Sequence, residues 1–514
     1  MVNFEFPHRG IFNSSFLHSY ILTIKFLRNF GLVLFLLLTS VLSNAEPAQE
    51  FSPLIKQAYG QVWKYDLTGT ENSLRQEKTK NLAHIYVSDT KWFIQVFATE
   101  DAAVYSAYKQ GRENTLKQIE AGPKNLPFYF FTKGEFYLHS AILKLKFGEY
   151  SSAAWEINKA YKILKEGNSR HPENLLLKRD MLFLQAFVGT VPENYAWMLQ
   201  ILGFNGELKP AMAKYAEITK AISNHPDYKI FLPETQLIQA FLTHHLLNNP
   251  AAAWEIMEEA TQDFASNPIN AFARANLAIH QKNTDAALLA LENYKPEIPL
   301  IPHLDYYLGL AKLQRGDADA GAYLARYLKH YKGSNYVKDA YLKLGWAFLL
   351  SGDSKNYFNS LQLVKIYGKT ILEEDKNALR ETEKGVMPNV ELLRSRLLYD
   401  GGYYKRALQQ LESTKTASLT NVQQAEYYYR LARIQESLQL YKDALANYGT
   451  VIEKFSSLQE YFAPAACYYS GMIWEKQNDV EKAKYFYRKC QGYKNYIYKN
   501  SFDQKALAGL KRLN

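Results

Sequence analysis

The stretch 426–452, EYYYRLARIQESLQLYKDALANYGTVI, carries the pattern that decides the fold. Each half places apolar or small side chains three or four residues apart, the spacing that puts them on one face of an α-helix. The positions are Tyr428, Leu431 and Ala432 in the first half and Ala444, Tyr448 and Ile452 in the second. The stretch therefore predicts two short amphipathic helices joined by a turn near Leu440 and Tyr441.

The order of side-chain sizes in this stretch resembles the tetratricopeptide repeat. The first helix carries a large residue, then a leucine, then a small residue, and the second carries an alanine followed four residues later by an aromatic. The small residues Ala432 and Ala444 mark where the two backbones cross closely. The resemblance implies an all-α fold, a right-handed superhelical solenoid of antiparallel helix pairs.

The same unit recurs along the chain at a nearly constant spacing. The small residue of each first helix is found at Ala141, Ala240, Ala275, Gly309, Gly345, Ser395, Ala432 and Gly471. After Ala240 the intervals are 35, 34, 36, 50, 37 and 39 residues. The long interval indicates an insertion in the charged run 371–385, for which a solvated helix is the simplest interpretation. The acids Glu373 and Glu374 would then lie on a helix surface.

These observations divide the chain into five regions. They are an export signal over 1–45, a helical region over 46–127, helix pairs over 128–300, pairs with the charged insertion over 301–386, and C-terminal repeats with a basic capping segment over 387–514. Within the second region, residues 83–96 fit either two short strands or a buried helix, and we favour the helix.

Residues 1–45 have the features of a bacterial-type secretory signal. An apolar run of 13 residues, 30–42, follows two basic residues and ends in Ser-Asn-Ala. The run is shorter than the roughly 20 residues that a bilayer-spanning helix needs. An uncleaved membrane anchor stays an alternative, because 29 residues precede the run. We predict cleavage after Ala45 and a mature chain that is periplasmic or associated with the cell envelope.

The sequence contains none of the common catalytic motifs. P-loop, GxGxxG, HExxH and GxSxG patterns are absent from it. Its two cysteines, Cys467 and Cys490, exclude a disulfide framework and a cysteine-rich zinc site, and we predict two buried thiols without a disulfide. His244 and His245 point about 100° apart on a helix, which is a poor start for a metal site. We therefore expect no enzyme, no metal and no cofactor.

A repeat array uses its first helices to line a concave surface that binds an extended ligand. Counted from the small markers, the groove positions are Tyr306, Trp346, Arg396, Tyr399, Tyr429, Arg433, Tyr468 and Glu475. Arginines and tyrosines in successive repeats would form ladders that suit an acidic or C-terminal peptide, unless the tyrosines only fill the seam between helices. Because a groove charge is exposed in the free protein, Arg433→Ala should weaken partner binding and leave thermal stability nearly unchanged.

Two functions of different classes remain open. The first is a non-enzymatic scaffold that holds a protein or peptide in its groove. The second is an envelope tether that binds anionic lipid, glycan or nucleic acid through its basic, tyrosine-rich C-terminus, although no specific nucleic acid is expected. The formal charge of the chain is +10, and residues 482–514 hold nine lysines or arginines against Asp503 alone. The candidate basic residues are Arg488, Lys489, Lys494 and Lys499.

Overall fold

The computed structural model describes residues 50–188, 208–294 and 300–513. Within these ranges the chain forms α-helices and two short 3-10 helices, and it contains no β-strand, which confirms the all-α prediction. The predicted signal and its cleavage site lie outside the described residues. No helix in the described ranges is both long and apolar enough to cross a membrane. The chain divides into two compact units, one that ends at Val386 and one that begins at Met387.

The first unit consists of seventeen α-helices over the described residues. They are α1 (Pro53–Val62), α2 (Leu67–Gln76), α3 (Leu82–Thr99), α4 (Ala102–Glu120), α5 (Pro127–Lys146), α6 (Tyr150–Arg170), α7 (Leu175–Val188), α8 (Leu208–Asn224), α9 (Leu232–His245), α10 (Pro250–Ala260), α11 (Pro268–His280), α12 (Thr284–Asn293), α13 (His303–Arg315), α14 (Ala320–His330), α15 (Val337–Leu350), α16 (Ser354–Ile366) and α17 (Glu373–Glu383). Helix α3 covers residues 83–96, so the helical interpretation of that segment is confirmed and the strand alternative is wrong.

The second unit contains α18 (Val390–Asp400), α19 (Tyr404–Glu412), α20 (Asn421–Ser437), α21 (Tyr441–Lys454), α22 (Phe462–Lys476), α23 (Val480–Gly492) and α24 (Lys499–Arg512). Its core is formed by consecutive helix pairs, α18 with α19, α20 with α21 and α22 with α23. Each second helix also packs against the first helix of the next pair, and α24 packs against both helices of the last pair. This arrangement is that of stacked helix hairpins.

A left-handed residue recurs in the turn of the helix pairs in both units. Positive φ angles occur at Gly148, Asn248, Lys282, Gly352, Gly402, Gln439 and Asn478. Each of these residues lies two positions before the second helix of its pair begins. In four of these turns the following residue caps the second helix with its side chain, and these caps are Asn249, Asn283, Asp353 and Asp479. The recurrence shows that the pairs share one turn geometry, and it follows the register that the sequence predicts.

The small markers of the first helices face the second helices closely. A Cβ atom added to Gly309 would lie 2.7 Å from Cγ of Leu324, and one added to Gly345 would lie 3.2 Å from Cβ of Ser360. In the second unit, the Ser395 hydroxyl donates to the backbone carbonyl of Ala407 at 3.0 Å. The small residues are therefore required where the two backbones approach each other.

The first unit closes on itself through residues that are distant in the chain. Glu100, at the end of α3, accepts a hydrogen bond from Nδ2 of Asn335 at 2.6 Å across 235 residues. It also pairs with Nζ of Lys146 at 2.7 Å. Burial opposes ionisation of Glu100, but Lys146 and His303 hold the pKa of its carboxyl below its ordinary value. The closure buries the beginning of α13, where His303 lies.

The charged insertion is a packed helix, not a solvated one. Glu373, Asp375, Ala378 and Thr382 of α17 are buried, and α17 packs against α15 and α16. Asp375 accepts hydrogen bonds from the backbone N–H groups of Tyr336 at 2.7 Å and Asp339 at 3.2 Å. Glu373 is buried, so the expectation that it lies on the helix surface is wrong. Lys376 and Arg380 compensate its buried carboxylate, at 3.1 and 3.6 Å. The insertion thus stabilises the start of α15.

Candidate peptide-binding face of the second unit

Three successive first helices of the second unit bring an arginine between two tyrosines. Tyr399 comes from α18, Arg433 from α20 and Tyr469 from α22. The guanidinium carbon of Arg433 lies 3.6 Å from the ring centroid of Tyr469 and 5.7 Å from that of Tyr399. We call these three residues the Arg433 row. Cation–π attraction on both sides of the guanidinium holds the row together.

The Arg433 guanidinium is oriented by a carboxylate of its own helix. Arg433 forms an ion pair with Glu436, and Glu436 also accepts a hydrogen bond from the Tyr448 hydroxyl at 2.6 Å. The Arg433 side chain is only 19% exposed, so the prediction's premise of an exposed groove charge does not hold. Burial raises the pKa of Tyr399 and Tyr469, so both rings remain neutral at physiological pH.

A second group of charges lies beside this row. Arg430 lies one helical turn before Arg433, and its Nε donates to the Glu426 carboxylate at 2.7 Å. Arg396 pairs weakly with Asp400 at 3.9 Å and lies within electrostatic range of Arg430. Because each guanidinium already faces a carboxylate of its own helix, an acidic ligand must compete with that carboxylate.

The remaining predicted groove residues of the second unit pack against other aromatic side chains. Tyr429 is buried, and its ring lies 5.4 Å from that of Phe462. Tyr468 is half-buried, and its ring lies 5.9 Å from those of Tyr487 and Phe502. Both tyrosines therefore fill the seam between helices, as the alternative interpretation of the sequence expects.

Glu475 holds the C-terminal helix. Its carboxylate accepts two hydrogen bonds from Arg512 of α24, at 2.8 and 2.9 Å, and one from the Tyr487 hydroxyl. The Arg512 bond lowers the pKa of the Glu475 carboxyl. A bidentate pair of this kind fixes both side chains, so Glu475 fastens α24 to α22.

The two predicted groove residues of the first unit are buried. The Tyr306 hydroxyl donates to Asp339 at 2.8 Å, and its ring packs 4.8 Å from that of Tyr336. The Trp346 ring is 2% exposed and lies 4.1 Å from Nζ of Lys343. The structure therefore does not place Tyr306 or Trp346 on an open surface, and it brings neither into the Arg433 row.

Two residues of the candidate face, Arg430 and Tyr469, are missing from the sequence prediction. The prediction kept the positions three residues before, one after and four after the small marker. Arg430 and Tyr469 both lie two residues before a marker, Ala432 and Gly471 respectively, so including that position would have found both.

The thiols and the ionisable clusters give no sign of a metal centre in the ranges that the structure covers. Cys467 and Cys490 are buried and free of a disulfide, as the sequence predicts. Burial raises the pKa of both thiols to about 12, which makes them poor nucleophiles. Over the same ranges no group of three or more histidines, cysteines or acids is arranged to hold a metal ion.

No protein-family model and no curated protein sequence matches the chain. Among solved structures, yeast Tom70 shares 13% identity over 86% of this chain and 92% of its own, with a TM-score of 0.32. The human IFIT1 dimer with m7Gppp-AAAA shares 12% identity over 89% of this chain and 95% of its own, with a TM-score of 0.31. The APC/C hetero-tetramer Cut9-Hcn1 shares 15% identity over 88% of this chain and 82% of its own, with a TM-score of 0.24. At these scores the likeness carries no argument about partner or site, and the fold assignment rests on the helix pairs themselves.

Proposed function

We propose that the chain is a non-enzymatic interaction scaffold that binds a protein or peptide partner across the Arg433 row. The observation that carries the proposal is the row itself, in which three successive repeats place two tyrosines and an arginine side by side. Tyrosine and arginine are the residues most often responsible for binding energy at interfaces. The export signal predicted at the N-terminus leads us to propose the periplasm or the cell envelope as the location.

The structure changes the ligand chemistry that the sequence suggests. Arg430 and Arg433 are paired with Glu426 and Glu436, so neither offers a bare positive charge to an acidic peptide. The partly buried ring of Tyr399 and the partly neutralised arginines suit a ligand that offers apolar side chains and backbone carbonyls. We therefore favour an extended peptide segment that is not strongly acidic.

The proposal is tested with the partner recovered by crosslinking from the native envelope fraction. Tyr399→Ala in the full chain should weaken binding of that partner by about 1–3 kcal/mol. The matched control is Lys442→Ala, at an exposed position of the second helix α21, which should bind like the wild type. Melting temperatures measured in parallel separate lost binding from lost folding. Equal affinities for wild type and Tyr399→Ala in a folded protein would reject the row as the binding face.

A second candidate function is binding of an anionic surface by α23. Tyr485 is 56% exposed, Lys489 Nζ lies 5.7 Å from its ring, and Arg488 beside it is exposed. Lys499 contributes less, because Asp503 pairs with it at 2.6 Å. Binding to vesicles that contain an anionic lipid should then fall steeply with salt and be weakened by Arg488→Gln. Salt-independent partner binding without vesicle binding supports the scaffold instead.

A further inference from the structure

The core of the first unit contains four carboxyl groups on four different helices. They are Asp89 of α3, Glu135 of α5, Asp180 of α7 and Glu234 of α9, and none is more than 7% exposed. We call these four groups the acid cluster. Arg179 is fully buried among them, and His139 is buried beside Asp89. Arg112 also acts electrostatically on Asp89, but it pairs with a fifth acid, Glu156, at 3.3 Å. Even with His139 protonated, the ionised acids would therefore exceed the positive charges in this buried region.

Three of the four carboxyl groups have donors. Arg179 donates to Glu234 at 2.7 Å and to Asp180 at 2.8 Å. Glu234 also accepts a hydrogen bond from the Tyr59 hydroxyl of α1. His139 Nδ1 lies 2.6 Å from Oδ2 of Asp89. These contacts give Asp89, Asp180 and Glu234 at least one hydrogen-bond partner each.

Glu135 differs from the other three acids. Neither of its carboxyl oxygens has a hydrogen-bond donor. Arg179 Nη2 lies 4.0 Å and His139 Nε2 lies 3.8 Å from its carboxyl oxygens, both beyond hydrogen-bond length. A phenol near the cluster, Tyr215 of α8, also has a hydroxyl group without a partner. An ionised Glu135 would therefore be a buried charge without compensation, which is expensive.

Asp180 is the neighbour with which the buried Glu135 carboxyl group can form a hydrogen bond. Its Oδ2 atom also lacks a donor, and the two carboxyl groups are within hydrogen-bonding reach of each other. Two carboxylates cannot form a hydrogen bond, whereas a protonated carboxyl group donates to a carboxylate. One proton on Glu135 therefore satisfies both side chains. In agreement, burial and the neighbouring Asp180 raise the pKa of Glu135 well above its ordinary value.

We propose that Glu135 keeps its proton at neutral pH and donates it to Asp180, so that folding of the first unit takes up a proton. In the unfolded chain a glutamate releases its proton near pH ~4.3. Above that pH the folded state binds one proton more than the unfolded state, so the stabilisation is fully present in acid and is lost as the pH rises. The folding equilibrium constant falls by up to about tenfold per pH unit from this proton alone. The unit thus carries a device that favours its folded state in an acidified compartment.

The test uses the full chain and the variant Glu135→Gln. A glutamine amide donates to Asp180 at every pH, so the variant should unfold with a flatter dependence of stability on pH than the wild type between about pH 7 and 9, above the range in which His303 of the unfolded chain titrates. The control is Glu166→Gln on α6, where the glutamate side chain is 51% exposed and pairs with Arg170, and it should retain the wild-type slope. Equal slopes for wild type and Glu135→Gln would overturn the proposal.

A second measurement decides the question if Glu135→Gln does not fold. Infrared spectroscopy of the folded wild type with ¹³C-labelled glutamate at pH 8 should show the C=O stretch of a protonated carboxyl group. Labelling glutamate alone avoids Asp375, whose pKa burial and the neighbouring Asp339 raise well above its ordinary value. The absence of a protonated glutamate band at this pH would show that Glu135 is ionised and the proposal wrong.

Discussion

Arg433 has three interactions within the second unit, two with tyrosine rings and one with Glu436. We therefore expect Arg433→Ala to reduce the free energy of unfolding by about 1–3 kcal/mol, and not to leave stability unchanged as an exposed charge would. Arg488→Ala is the matched comparison, because Arg488 is an exposed arginine of the same unit. Its cost should remain below about 1 kcal/mol. Denaturant unfolding of both variants measures the two losses of unfolding free energy. Equal losses would contradict a stabilising role for Arg433.

Burial of His303 should make stability depend on pH in the direction opposite to the effect of Glu135. Burial lowers the pKa of His303 to about 4, with Lys146 adding to the shift and Glu100 opposing it. The unfolded chain binds this proton near pH ~6.5 and the folded chain does not, so stability is present above that pH and is lost as the pH falls toward 4. The loss amounts to about 3 kcal/mol at most. His303→Gln should remove this acid-side slope in thermal unfolding, whereas the exposed His330→Gln should not.

At the scale of the element, the turn between α15 and α16 tests why the left-handed position recurs. Gly352 has φ +86° and no neighbouring atom within 4 Å of an added Cβ. Gly352→Ala should therefore cost about 1 kcal/mol from backbone strain alone. Gly449 lies inside α21, also with open space around it, and Gly449→Ala should stabilise by up to about 1 kcal/mol. Calorimetry that shows the same sign for both variants would contradict this account of the turn.

Helix α24 shows which residues close the second unit. Sequence periodicity suggests that Leu507 and Leu510 cover the last helix pair. The structure packs the partly buried Leu510 against the core, as expected, but it leaves Leu507 39% exposed and buries Phe502, Ala506 and Gly509. The reason is that Phe502 reaches the rings of Tyr461 and Tyr468 of the preceding pair.

Phe502→Ala should accordingly cost about 3–5 kcal/mol of unfolding free energy, and Leu507→Ala less than about 1 kcal/mol. Urea unfolding of the two variants provides the comparison. If Leu507→Ala proves the more damaging, α24 packs with a different face from the one described.

For the whole molecule, the sequence predicts the parts of the fold that local patterns determine. Helix pairs, the close crossing at Gly309 and the turn at Gly352 follow from residues within one repeat. The contact of Glu100 with Asn335 joins residues 235 positions apart, and no periodicity marks it. Tyr306, expected in a groove, is instead buried against Tyr336 and Asp339 at the start of α15.

The acid cluster and the candidate face are hidden from the sequence for a related reason. Glu135, Asp180 and Glu234 resemble ordinary helix-surface acids, because their burial depends on which helices surround them. In the second unit the marker spacing leads to the first helices and to Arg433, the arginine that lies near the rings of Tyr399 and Tyr469. The spacing does not reveal that Glu436 forms an ion pair with the Arg433 guanidinium, since that pairing depends on side-chain orientation.

The central claim is that a partner binds across the Arg433 row, and site-specific photocrosslinking tests it most directly. A photoreactive phenylalanine is placed at position 399, in the row, or at position 485, on the exposed face of α23, in the otherwise unchanged full chain. Irradiation in the native envelope fraction should give a crosslinked partner from position 399 and none from position 485. A crosslinked partner from position 485 alone would contradict the claim and move the binding surface to α23.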